Sequence, residues 1–154
     1  QQIWLDPGLV VRSDVAALEA ALREADPCGG ATALQAAVEQ CRGEFLEGLS
    51  LRDAPAFEEW QFFERERLHG LLLQANERLC AMFWRRGQLD KALAFGRRML
   101  DAEPWHEGAL RAVMVLLLQR GQRAEALAQY AAFCQQLDDE LGAQPDPETV
   151  AIYE

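Results

Sequence analysis

"RRGQLDKAL" at Arg85–Leu93 returns 34 residues later as "QRGQRAEAL" at Gln119–Leu127. In a chain with helical periodicity, 34 residues is the tetratricopeptide interval. The interval arises because a helix pair of fixed length leaves an apolar face that the next pair must cover. The repeated residues divide the work. Gly87 and Gly121 reverse the chain between paired helices, where a left-handed backbone suits glycine. Ala92 and Ala126 are small where two helices cross, and Leu93 and Leu127 face the core. Pro104 ends the first unit. Tyr130 is the large residue late in the second copy, where the first copy has Gly96. The register places repeats at about 73–106 and 107–140. Two copies are fewer than a free-standing solenoid needs, so the flanking helices have to cap the stack.

Those flanks also read as helix. Asp14 is placed to cap a helix through about Glu24, with Val15, Leu18 and Leu22 on one face. Thr32 is expected to cap a second, striped by Leu34, Ala37, Val38 and Cys41. "RGEFLEGLSLRDAP" follows, and its Phe45, Leu46 and Leu49 predict a loop packed down on the core. From Pro55 to Arg86 no proline intervenes, and Phe57, Trp60, Leu68, Leu71, Leu72, Ala75, Leu79, Met82 and Phe83 recur at helical spacing as expected core. Helices from about Leu89, His106 and Arg123 come next, and a last one starts near Pro147. The start differs. "QIWLDPGLVVRSD" has β-rich runs around Asp6-Pro7-Gly8 and reads as a short hairpin over 1–13. The expected class is all-α: a tetratricopeptide-like stack of about seven antiparallel helices, preceded by a short β hairpin.

Composition excludes several functions. No apolar run approaches a membrane span, and no signal peptide opens the chain, so the expected location is the cytoplasm. Cys28, Cys41, Cys80 and Cys134 are scattered, with no CxxC and no histidine at ligand spacing. They read as free thiols in a reducing cytosol, with no metal and no cofactor. The net charge of −10 opposes gripping DNA phosphates. The charge is uneven: residues 65–98 hold eight bases against three acids, and residues 138–154 hold six acids and no base. This basic stretch and acidic end are placed to dock on each other, with Val150, Ile152 and Tyr153 burying against Tyr130 and Phe133. Neither His69 nor His106 has triad partners, and no HExxH, GxSxG or phosphate loop occurs. An enzyme is not expected.

Further phrases carry a resemblance. "RGEFLEGL" at Arg42–Leu49, Trp60 with "RERL" at Arg65–Leu68, then Pro104, Glu107 and Met114, lead into "RGQRAEALAQY" at Arg120–Tyr130. The chain closes on "LDDELGAQPDPETVAIYE" at Leu137–Glu154. In this order they resemble the bacterial transcriptional activator domain, the helical module of antibiotic-regulatory-protein-type transcription factors. In that family a winged-helix domain precedes the module. The resemblance implies that 1–13 is the tail of, or linker from, such an upstream DNA-binding domain, and that 14–154 is the helical regulatory piece. DNA would then be reached only through that upstream domain.

The expected function is a non-catalytic protein–protein interaction module of a transcriptional regulator. Its partner would be the transcription machinery, another domain of the same chain, or a second copy in a homodimer. Tetratricopeptide stacks bind partners on the face made by the first helix of each pair. By register that face presents Gln74, Glu77, Ala81, Trp84 and Arg85, then Arg111, Val115, Leu118 and Gln119. Trp84 beside Arg85 is the aromatic and cationic mixture enriched at interface hot spots. Two other readings stay open: a sensor for a small anionic molecule such as a nucleotide, bound by arginines near a groove, and a structural dimerisation or spacer element.

Overall fold

The repeated phrase folds into the same turn twice. Gly87 has φ +69° and Gly121 φ +74°, a region that a side chain would strain. In both copies the residue after the glycine donates back across the turn. Gln88 N–H bonds the Phe83 carbonyl at 2.9 Å, and Gln122 N–H bonds the Leu117 carbonyl at 2.9 Å. These are the reversals that close each helix pair.

The computed structural model describes residues 13–24, 30–51 and 53–154. The hairpin expected over 1–13 lies outside them except for Ser13, and Cys28 lies outside them as well. The described residues form seven helices and no strand: α1 (Asp14–Glu24), α2 (Ala31–Gln40), α3 (Pro55–Arg85), α4 (Leu89–Ala102), α5 (Glu107–Gln119), α6 (Arg123–Leu141) and α7 (Pro147–Tyr153). None is long and apolar enough to cross a membrane. Packing runs in series: α1 and α2 pack on each other and on α3, then α3 packs on α4, α4 on α5 and α5 on α6, while α7 lies against α5. Ala75, Leu79, Ala92, Val113, Leu116 and Leu117 are fully buried along this series. Each large apolar side chain so buried contributes about 1.5–3 kcal/mol.

The spacing of the helices is set by small residues. Ala92 and Ala126 are buried where their helices meet neighbours. A Cβ built on Gly96 would come within 2.9 Å of Val113 Cγ2. That glycine lets α4 approach α5, while Phe83 and Phe95 stack at 5.6 Å across α3 and α4. His106 caps α5, its Nδ1 accepting from Ala109 N–H at 3.1 Å.

Several expectations need correction. Asp14 does not cap α1: the helix starts at Asp14, and Ser13 Oγ accepts from Ala16 N–H at 3.0 Å. Thr32 does not cap α2: the helix begins at Ala31 after Gly30, with no side-chain cap, and Thr32 is exposed. The loop after α2 packs on the first half of α3 rather than on the core. Gln61 Nε2 donates to the Leu46 and Leu49 carbonyls at 3.0 and 3.2 Å. Arg65 donates to the Phe45 and Leu46 carbonyls at 2.9 and 3.2 Å. These bonds hold Leu46 at φ 51°, and Leu49 and Leu51 stay exposed. Trp60 is not core either. It is 48% exposed and meets Phe45 edge-on at 5.7 Å. The first turns of α3 outrun the helices that could cover them.

The charge pattern resolves differently from the expected docking. Much of the basic stretch is used to tie helices together. Arg67 reaches Glu19 of α1 at 2.6 Å, Arg78 donates to the Leu22 carbonyl at 2.6 Å, and Arg97 pairs with Glu125 of α6. The acidic end is held by α5 instead. Glu107 accepts from Asp146 N–H at 3.0 and 2.9 Å and from the Thr149 hydroxyl. Arg111 donates to Thr149 Oγ1 at 3.1 Å and pairs with Glu148 at 3.5 Å. Thr149 is completely buried. Apolar contact completes the seat: Tyr153 stacks on Tyr130 at 4.4 Å, and Ile152 packs by Phe133.

Two stability predictions follow from this geometry. Gly70→Ala, exposed with open space around its Cβ position, should gain about 0.5–1 kcal/mol from helix propensity. Gly96→Ala should lose stability despite the same propensity gain, because Val113 is stiff and buried. Urea melts of the two variants check this opposition of sign. For the α7 seat, Thr149→Val should cost about 1–3 kcal/mol by leaving Glu107 and Arg111 short of a partner. Neutralising Asp138, Asp139 and Glu140, all exposed, should stay within about 0.5 kcal/mol. Thermal melts compare the two.

Candidate partner-binding face

The first helices of the two repeat units are the second half of α3 and α5. Their expected face residues fall into three groups. Gln74, Glu77 and Arg85 are exposed on α3, and Leu118 and Gln119 are exposed on α5. Ala81, Trp84 and Val115 are half-buried. Arg111 forms the third group.

Trp84 joins the two units. Its indole Nε1 donates to Gln119 Oε1 at 2.9 Å, so the ends of α3 and α5 are bridged side by side. The ring packs against the main core on one side. Trp84 thus has its apolar body inward and its polar edge engaged at the rim. Leu118, 40% exposed, adds apolar surface on the same helix end as Gln119. Arg85 has no ion pair among the described residues. Arg120, one residue beyond Gln119, is held by Asp90 at 2.6 Å, which fastens the second turn to α4. The bridged helix ends thus carry an exposed Arg85 and an exposed Leu118, while Gln74 and Glu77 are exposed about two to three turns before the end of α3.

Arg111 departs from the expectation. Its guanidinium is engaged by Glu107, Glu148 and Thr149, so it fastens α7 and is not offered to a partner. α7 thereby covers α5 as the first helix of a further unit would. The closing helix lies outside the 34-residue pattern, so the register alone does not show that it engages Arg111.

Of the repeat positions, Ala92, Leu93 and Ala126 are buried, and Pro104 lies just beyond the end of α4. Leu127 and Tyr130 are only half-buried, and α7 supplies their cover. Burial pushes the Tyr130 phenol up to about 12, and Cys134 and Tyr153 add to the shift. Burial, with Glu77 nearby, pushes the Cys80 thiol up to about 11. Both groups stay protonated near neutral pH and act as packing groups there. Residue reading missed Asn76, which is buried on α3 at the position where the second unit has Leu110. The polar break in an apolar stripe was the signal.

A family model for the bacterial transcriptional activator domain matches residues 8–154. The transcriptional regulator RedD of Streptomyces coelicolor is 34% identical over 130 residues, covering 82% of this chain and 34% of that protein. The chain thus corresponds to about a third of that relative's length.

Proposed function

The chain belongs to the bacterial transcriptional activator domain family, and on that premise we propose that it regulates by contacting another protein through the bridged ends of α3 and α5. The observation that carries the reading is the Trp84–Gln119 bond. It holds the ends of two repeat units side by side, with Arg85 exposed next to Trp84 on α3 and Leu118 exposed next to Gln119 on α5. An aromatic anchor beside an arginine and exposed leucine suits an amphipathic segment with an acidic residue. The partner in this reading is a protein of the transcription machinery, met in the cytoplasm. The domain works there without catalysis or cofactor. Its net charge of −10 opposes direct binding to DNA phosphates, so DNA contact is left to another domain of the parent regulator.

Arg85→Glu combined with Leu118→Ser tests the face. Both sites are exposed, so the melt should move little. In the whole regulator, transcription from its promoter should fall about tenfold or more, the size of losing one to two hot-spot contacts, while promoter binding is unchanged. Full activation by the double variant overturns the assignment.

A further inference from the structure

A second feature shares no residue with the partner face. Between the end of α2, the middle of α3 and the end of α4 lies a cleft of about 560 Å³. Its size falls within the range of small-molecule sites. Leu72 and Leu73 form apolar wall, and Arg42 and Arg98 line it together with one acid, Glu39, whose carboxylate accepts from Gln35 Nε2 at 2.8 Å. His69 lies beside it, with Nε2 at 3.2 Å from Glu103 Oε1, so the rim is tied between α3 and the end of α4.

Asn76 lines this cleft and is only 8% exposed. Its Nδ2 donates to the Leu72 carbonyl at 2.7 Å, which fixes the orientation of the amide. Oδ1 is then left buried with no partner. Buried polar atoms are nearly always paired, and an exception asks for a cause. Repeat packing does not supply one. The same position in the second unit is Leu110, buried to 1%, so the stack accepts an apolar side chain there. Neither arginine is consumed elsewhere by an ion pair among the described residues. The Arg98 guanidinium lies over the Phe95 ring at 5.2 Å, which leaves its N–H edge able to meet an anion.

We propose that this cleft binds a small amphipathic organic anion. The ligand has an apolar, preferably aromatic, body against Leu72 and Leu73. It has an N–H or O–H group that donates to Asn76 Oδ1, and a carboxylate, sulfonate or phosphate that meets Arg42 and Arg98. This gives the domain a chemical input separate from its protein contact, and it goes beyond the partner-face reading without depending on it.

The probe is 8-anilinonaphthalene-1-sulfonate, which carries an aromatic body, one N–H donor and one anionic group. Titration of the folded chain should give saturable one-to-one binding. Asn76→Leu removes the acceptor and copies the second repeat unit. It should melt at or above the temperature of the unchanged protein yet bind about tenfold more weakly, the effect of one buried hydrogen bond. Arg98→Gln, on an exposed site, should weaken binding similarly without altering the melt. Phe62→Ser with Phe63→Ser, which removes the exposed aromatic pair on α3, should leave it unchanged. Absence of saturable binding overturns the proposal. Loss of binding in the Phe62 and Phe63 variant overturns it as surface adsorption. Undiminished binding by both Asn76→Leu and Arg98→Gln overturns it as well.

Discussion

No helix pair among the described residues can bury its own apolar face, and the rest of the structure depends on that shortage. α5 shows it most plainly. Ala109, Val113, Leu116 and Leu117 turn into the core shared with α3 and α4, while Leu110 and Met114 belong to a second cluster with Phe133 and Leu137. A helix apolar on both flanks must sit between two layers. The stack therefore has to continue in both directions until something with a polar outer face ends it. α1 and α2 do this at one end. α7 does it at the other, although it has only seven residues. So short a helix would not hold its shape unaided, and the Glu107, Thr149 and Arg111 network with the Tyr130–Tyr153 stack supplies what the helix lacks.

Closing the ends decides what remains open. The arginines that looked like a docking surface mostly bind helices to one another: Arg67 to α1, Arg78 to the end of α1, Arg97 to α6, Arg111 to α7. Exposed pairs of this type contribute little stability individually, and their effect here is to fix relative placement. With those charges engaged, the bridged ends of α3 and α5 keep apolar surface beside an arginine that no acid within the described residues neutralises. The unsatisfied acceptor of Asn76 marks a different place, where the second repeat unit shows that a leucine would fit.

Much of the fold was legible because it rests on local rules that leave a direct trace. The Arg-Gly-Gln phrase at 87 and 121 encodes a backbone turn, and it formed at both sites. Pro55, Pro104 and Pro147 bracket helices as their missing N–H requires. What was not legible depended on which surfaces meet. Trp60 sits at helical spacing with true core residues, yet the helix extends past its neighbours there, and periodicity cannot report where a partner stops. Arg111 was assigned to the partner face for the same reason. Its true partners, Glu148 and Thr149, lie some 38 residues away in sequence, in a helix outside the repeat. Thr32 is not the cap because the helix starts at Ala31, which places the N-cap at Gly30, two residues earlier. The family phrases at Arg42–Leu49 and Arg65–Leu68 were visible as words, but their mutual contact appeared only when Arg65 was seen to hold the loop's carbonyls.

The central proposal is that this domain acts through the face of α3 and α5 that runs from Gln74 to the Trp84–Gln119 bridge. Site-specific photocrosslinking tests it most directly. A benzophenone side chain at Gln74, in the intact regulator while it activates transcription, should form a covalent adduct with a second polypeptide. The same group at Asp139, on the exposed flank of α6, should not. Adducts from position 139 with none from position 74 would contradict the account.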